Sequence, residues 1–170
     1  MIDDFWTYAK GLYSHDHIKT QCLQLEEEYE ANTTLILWLC WLDSHNIYLS
    51  PSALTDAQAL TNSTGAEVRQ QLNAARQLLQ NEPQFTRVQA QSINKHMLAA
   101  ELAIEKVLIQ RLQDLPHKLP KLEKEEEHLS LFNYLDEQRV IYSGQISALL
   151  LEQARLYYEA KTERLILATG

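Results

Sequence analysis

Apolar residues recur at helical spacing along most of this chain. Two stripes follow positions i, i+4, i+7 and i+11: Ile18, Cys22, Leu25 and Tyr29, and then Val68, Leu72, Ala75 and Leu79. That spacing places side chains on one side of an α-helix and does not fit the two-residue period of a strand. Arg69 and Arg76 lie beside the second stripe, where they suit either a solvated or an ion-paired face. The pattern predicts amphipathic helices packed around a shared core.

Residues that build tight turns are scarce. The 170 residues include 4 glycines and 4 prolines, so few hairpins can be made. Hydrophobic residues make up 45% and charged residues 22%, which is ordinary for a globular domain. We therefore predict an all-α fold, a single multi-helix bundle of about six to eight helices with a long C-terminal helix.

The run from Leu35 to Leu42 is apolar on every side. It is too short to cross a bilayer, and no second strand-like segment exists to pair with it. We interpret it as a central helix capped by Asn32 or Thr33 and covered by its neighbours.

Boundaries of other helices can be read from caps and breakers. Ser50-Pro51 has the form of a helix start. Asn81-Glu82-Pro83 ends the helix that carries the second apolar stripe. A long helix is predicted over 84–114. It carries two apolar stripes, which predicts burial by several neighbours. The stripes are Ile93, Met97, Ala100, Ile104 and Leu108, and Leu98, Leu102, Ile109 and Leu112.

Composition changes after Asp114. Residues 115–128 hold Pro116, Pro120 and a charged run, and are predicted to connect two parts of the chain. Residues 1–114 would form a helical core domain. Residues 129–170 would form a C-terminal helical extension, in segments 129–140 and 145–167 separated near Gly144. We expect this extension to pack on the core or on a partner.

The chain is acidic, with 15 basic and 23 acidic residues and a net charge of −8. Residues 1–114 and 115–170 each carry more acidic than basic side chains. Nucleic acid and anionic membrane surfaces need a basic face, so neither is predicted as a partner. The N-terminus, beginning Met1-Ile2-Asp3-Asp4, is acidic where a secretory signal is positive, and we expect a cytoplasmic protein.

The common catalytic and cofactor motifs are missing. The sequence has no Gly-x-Ser-x-Gly elbow and no glycine-rich phosphate loop, and we predict no catalytic residue and no cofactor. Cys22 lies in the first apolar stripe, and Cys40 lies between Leu39 and Trp41. Both are interpreted as small buried hydrophobic residues rather than nucleophiles.

Three short clusters resemble metal ligands, and we interpret all three otherwise. Glu125 and His128 have the Glu-x-x-His spacing of di-iron bundles but occur once, in a polar connector. His15-Asp16-His17 and Asp43-Ser44-His45 lie where helices should begin or end. Asp16 is expected to cap a helix start, and His45 to complement a helix end. No metal is predicted.

Two surfaces remain as hypotheses. Trp38 and Trp41, with Tyr8 or Tyr13, could line a small pocket between helices, to which Glu101 or Glu105 would add a carboxylate. Leu149, Leu156 and Tyr157 lie on the apolar side of the last helix and form a candidate interaction face.

The order of several features resembles a known family. Phe5-Trp6, Cys22-Leu23-x-Leu25 and Trp41-Leu42, followed by Ala99-Ala100-Glu101-Leu102-Ala103, resemble a bacterial family known only as a conserved domain of unknown function, mostly from gammaproteobacteria. The likeness spans about residues 4–112. It implies an all-helical fold and supplies no activity. The chain differs from the family pattern at Glu26-Glu27, Glu30 and Asn32-Thr33-Thr34.

These observations favour a non-enzymatic helical protein that works through protein–protein contact or self-association, as a regulator, adaptor or assembly factor. The alternative is a helical bundle that binds a small molecule, with or without enzymatic activity, in an apolar pocket near Trp38 and Trp41.

Overall fold

The computed structural model describes residues 5–115 and 129–169, and within these ranges it contains eight helices and no strand. The helices are α1 Phe5–Tyr13, α2 Asp16–Tyr29, α3 Thr33–Ser44, α4 Pro51–Ser63, α5 Ala66–Gln80, α6 Arg87–Asp114, α7 Leu129–Glu137 and α8 Ser143–Thr169. The predicted all-α fold with a long C-terminal helix is confirmed. Most of the connector and the Glu125/His128 pair lie outside the described residues.

Helix α3 is the centre of the bundle. Every residue from Leu35 to Leu42 is buried, as its uninterrupted apolar sequence predicted. Helices α1, α2, α7 and α8 pack around it, and α4 and α6 add smaller contacts. A helix that is apolar on all sides is stable in water only when neighbours cover it in this way.

Hydrogen bonds fix both ends of the segment around α3. The side-chain oxygen of Asn32 accepts a hydrogen bond from the backbone amide of Leu35 at 3.0 Å, and Asn32 is therefore the N-cap. Its own backbone amide donates to the hydroxyl of Tyr134 in α7 at 2.8 Å. Beyond α3, the backbone amide of Leu49 donates to the hydroxyl of Ser130 at 2.9 Å. The last two bonds connect α7 to the chain segments that precede and follow α3.

Other helix ends follow their capping chemistry. Ser50 caps α4 with Pro51 in its first turn, as predicted. Helix α6 begins at Arg87 rather than residue 84, because Thr86 and Gln89 form a capping box there. Gly144 lies inside α8 and does not separate two helices; the break falls at residues 138–142.

The wide buried surface predicted for α6 is wrong for most of its length. Leu108, Ile109 and Leu112 are buried, whereas Leu98 and Leu102 are exposed. Two stripes are needed only where several helices surround α6, and that is the case near its C-terminal end. The N-terminal half packs against α5 and leaves its second stripe to solvent.

Helices α7 and α8 contribute to the same core as the first six. Leu131, Leu135, Leu150 and Ala154 are buried with the side chains of α3. The core-facing positions of α8 are three or four residues apart, as on one side of a helix.

Candidate functional site

A polar cleft opens between the α2–α3 corner and the paired helices α5 and α6. Its volume is about 820 Å³. We define it by its charged residues, Glu26, Arg69, Arg76, Glu101 and Glu105, together with Thr33 at the start of α3. Asparagine, glutamine and threonine side chains supply much of the remaining lining. A concavity of this size can hold a small organic molecule.

Two ion pairs form one wall of the polar cleft by joining α5 to α6. Arg76 contacts both carboxylate oxygens of Glu101 at 2.9 and 3.2 Å, and its Nε donates to the side chain of Asn94 at 3.0 Å. Arg69 donates to Glu105 at 3.2 Å and to the backbone oxygen of Thr61 at 3.3 Å. The paired side chains are about a quarter exposed, so solvent screens them only in part.

Glu26 faces the pairs from α2. One of its carboxylate oxygens accepts a hydrogen bond from the hydroxyl of Thr33 at 3.3 Å. The pKa of Glu105 is raised, mainly because burial disfavours the anion; Arg69 opposes that effect, and the charge of Glu26 adds to it. Glu26 also contributes to a raised pKa of Tyr13, after burial and Cys22. The carboxylates of Glu26 and Glu105 therefore repel each other, and solvent screens this repulsion because Glu26 is exposed.

An apolar recess of about 220 Å³ adjoins the polar cleft between α1, α3 and α6. Its apolar walls include Trp6, Leu37, Leu102 and Ile109. Both concavities are lined by Tyr13, Thr33, Thr34 and Glu105. The two concavities therefore adjoin along these four residues, and we treat them as one depression with a polar end and an apolar end.

Two ammonium groups lie against Trp6, which forms part of the wall of the apolar recess. The ammonium groups of Lys10 and Lys106 each lie 5.2 Å from the ring centre of Trp6. This distance is typical of cation–π contacts. The two ends of the depression thus differ in charge as well as in polarity.

The residues predicted for one pocket lie in two parts of the molecule. Tyr8, Trp38 and Trp41 are buried in the core, at 3% exposure or less. Glu101 and Glu105 line the polar cleft. Neither the polar cleft nor the apolar recess is lined by the two tryptophans or by Tyr8.

Asp43, near the end of α3, is an unusual buried acid. Burial raises its pKa to about 7, and the approach of the Leu131 backbone amide offsets part of that rise. Neither carboxylate oxygen meets a donor with hydrogen-bond geometry among the described residues. The hydroxyl of Tyr8 and the indole nitrogens of Trp38 and Trp41 are also buried without a hydrogen-bond partner among the described residues.

The other candidate metal ligands and nucleophiles lie at helix ends or in the core. Burial raises the pKa of the Cys22 thiol to about 12, and raises that of Cys40 as well, which disfavours the reactive thiolates. Asp16 is the first residue of α2, with His15 as the N-cap. The ring of His45 contacts the backbone oxygen of Trp41 at 2.7 Å. Over the described ranges, no three His, Cys, Asp or Glu residues are grouped as a metal would require.

The predicted interaction face on α8 is divided. Leu149 and Leu156 are 47% and 46% exposed. Tyr157 packs against the core instead, with its ring 6.2 Å from Tyr8 and 5.3 Å from His15. Exposed Ile141 and Tyr142, directly before α8, extend the apolar surface.

Fold and depression together define a class of protein: an all-helical bundle with an ion-paired cleft. The chain belongs to the family described as "Protein of unknown function (DUF2390)", whose model matches residues 4–112. No curated protein and no solved structure matches it. Over residues 5–115 and 129–169, no helix is both long and apolar enough to cross a membrane.

Sequence reasoning missed the polar cleft as a site. Arg69 and Arg76 are seven residues apart, and Glu101 and Glu105 are four apart. Each pair therefore lies on one side of its helix. An antiparallel arrangement of α5 and α6 would have predicted both ion pairs from that spacing.

Proposed function

We propose that this protein is a non-enzymatic interaction protein that self-associates through the outer side of α8. The observation that carries the proposal is the pair of exposed apolar residues Leu149 and Leu156, spaced by seven on α8. Seven residues are close to two helical turns, so Leu149 and Leu156 lie on one side of α8. Their exposure leaves apolar surface in water that a partner helix could cover.

A second copy of the chain is the simplest partner. The face is a stripe along one long helix, and an identical stripe on a second α8 would be complementary to it by symmetry. The core-facing residues of α8, Ser147, Leu150 and Ala154, lie on another side of the helix. Pairing through the outer face therefore needs no rearrangement of the bundle.

Point variants test this proposal better than truncation. A chain ending at Asp114 would lose Leu131 and Leu150 from the core, and its behaviour would not report on the outer face. In the double variant Leu149→Glu with Leu156→Glu, both changes fall on side chains that are nearly half exposed. We expect the wild-type chain to be a dimer by light scattering, and the double variant to be a helical monomer.

The matched control is the double variant Leu78→Glu with Val88→Glu, which also adds two negative charges; Leu78 is 74% exposed on α5. Val88 is 75% exposed on α6 and lies outside the proposed face. The control should add the same charge without changing the mass in solution. A wild-type chain that stays monomeric at about 0.1 mM contradicts self-association, because useful interfaces bind more tightly than that. Equal dimerisation of the α8 double variant and the wild type contradicts the assignment to α8.

A further inference from the structure

The depression formed by the polar cleft and the apolar recess offers two different environments to one ligand. The shared residues Tyr13, Thr33, Thr34 and Glu105 show that the two ends meet. Leu37, Leu102 and Ile109 line the apolar end. A ligand that fills both ends must have an apolar part and a polar part.

The balance of charges selects the polar part. Three carboxylates and two guanidinium groups line the polar cleft, which leaves one negative charge in excess. Arg76 is held by Glu101, and Arg69 by Glu105. Among the described residues, Glu26 has no cationic partner within ion-pair distance, and the hydrogen bond that it accepts from Thr33 comes from an uncharged hydroxyl. A cation beside Glu26 would relieve its repulsion with Glu105 and gain a charge-assisted hydrogen bond.

The orientation follows from the lysines. Lys10 and Lys106 surround Trp6 at the apolar end. A cationic group beside Trp6 would be repelled by these two ammonium groups, whereas an uncharged apolar group would contact Leu37 and Leu102; the carboxylate that lines the recess, Glu105, is shared with the polar cleft. The positive end of a ligand is therefore directed toward Glu26.

We propose that this depression binds a small amphipathic organic cation, with its ammonium or guanidinium group between Glu26 and Glu105 and its apolar group against Leu37 and Leu102. Such a site does not depend on self-association through α8. The two can be tested in the same preparation, because they involve different helices.

Three indole compounds of nearly equal shape test the proposal on the full chain. Tryptamine carries an ammonium group, tryptophol is its neutral alcohol, and indole-3-propionate is an anion. Calorimetry at constant ionic strength measures their affinities, and amide chemical shifts locate the site. We expect saturable binding of tryptamine with shifts at Thr33, Thr34 and Glu105, and binding of tryptophol that is weaker by about fivefold, as for an exposed ion pair.

Matched variants separate the site from general charge effects. Glu26→Gln should weaken tryptamine binding about fivefold, whereas Glu27→Gln, an exposed neighbour with the same change in net charge, should have little effect. Leu102→Ser should weaken tryptamine and tryptophol alike. Val107→Ser, at a similarly exposed position of α6 outside the recess, should weaken neither.

Several outcomes would overturn the proposal. Equal affinity for tryptamine and tryptophol would show that charge is not recognised. Equal effects of Glu26→Gln and Glu27→Gln would reduce the attraction to the net acidity of the chain. Lack of saturation at about 10 mM tryptamine, or shifts confined to other helices, would show that this depression does not bind organic cations.

Discussion

Replacing Asp43 with asparagine should stabilise the folded protein at neutral pH and leave its stability almost unchanged at a pH below the ordinary pKa of that carboxyl. The ordinary pKa of this carboxyl is 3.8, and burial raises it to about 7 in the folded state. Between those values the unfolded chain releases the proton while the folded chain keeps it. Unfolding is therefore favoured increasingly as the pH rises from about 4 to about 7, and the penalty is constant above that range.

The size of the effect follows from the same pKa values. A rise from 3.8 to about 7 corresponds to an upper bound of ~4 kcal/mol in the free energy of unfolding. The side chain is not fully enclosed, and the Leu131 amide compensates part of the charge, so we expect ~2 kcal/mol. Asparagine has nearly the same shape and cannot ionise, so the packing between α3 and α7 should be retained.

Urea unfolding followed by tryptophan fluorescence at pH about 3.5 and about 8 measures the difference between Asp43→Asn and the wild type. Comparing the two chains cancels the titration of all other groups. Asp56→Asn, at an exposed position in α4, is the control and should show no such pH dependence. If Asp43→Asn were destabilising at pH about 8, the start of α7 would stabilise the carboxylate more than burial disfavours it, and the reasoning would be refuted.

Two further substitutions, Gly65→Ala and Arg76→Ala, test the packing of α5 and α6, and each is compared with a substitution of the same residue type in α8. Gly65→Ala should destabilise the protein by ~1–3 kcal/mol in thermal or urea unfolding, because the glycine has a φ of +66° and an added Cβ would clash with the side chain of Ile104 in α6. Gly144→Ala, where the nearest side-chain atom is 3.8 Å away within a helix, should instead stabilise by ~0.5–1 kcal/mol; destabilisation there would contradict the assigned helix start. Arg76→Ala should cost ~1–3 kcal/mol because it leaves partly buried hydrogen-bond partners unsatisfied, whereas Arg155→Ala, in an exposed pair, should change the unfolding free energy by less than ~0.5 kcal/mol. Equal losses in both arginine variants would show that the polar cleft wall is no more ordered than the outer surface.

The parts of the fold that were predictable are those decided by neighbours in sequence. The burial of α3 follows from its uninterrupted apolar run, and the caps at Asn32 and Ser50 follow from side chains that reach an amide three residues away. The capping box at Thr86 is equally local, because the spacing of its threonine and glutamine in the sequence indicates a helix start at that position.

The polar cleft could not be read in the same way, because it depends on which helices are adjacent. The spacing of Glu101 and Glu105 shows one side of α6 and does not show that α5 supplies the opposing arginines. The same dependence on neighbouring helices applies to Leu156 and Tyr157. Both are apolar and consecutive, and the sequence pattern predicted that they share one face. Packing against α1 takes Tyr157 into contact with the core and leaves Leu156 outside.

The family match bears on which surface a shared function would use. Residues 4–112 include every residue that defines the polar cleft, whereas the outer side of α8 lies beyond them. Yet α7 and α8 cannot be dispensable attachments in this chain, because Leu131, Leu135 and Leu150 cover one side of α3. Any relative that keeps an entirely apolar α3 must cover that side as well, with its own helices or with a partner. Pairing through α8 would therefore be a property of chains whose C-terminal helices keep an exposed apolar stripe, whereas Glu26 and Thr33 of the polar cleft lie where this chain differs from the family pattern.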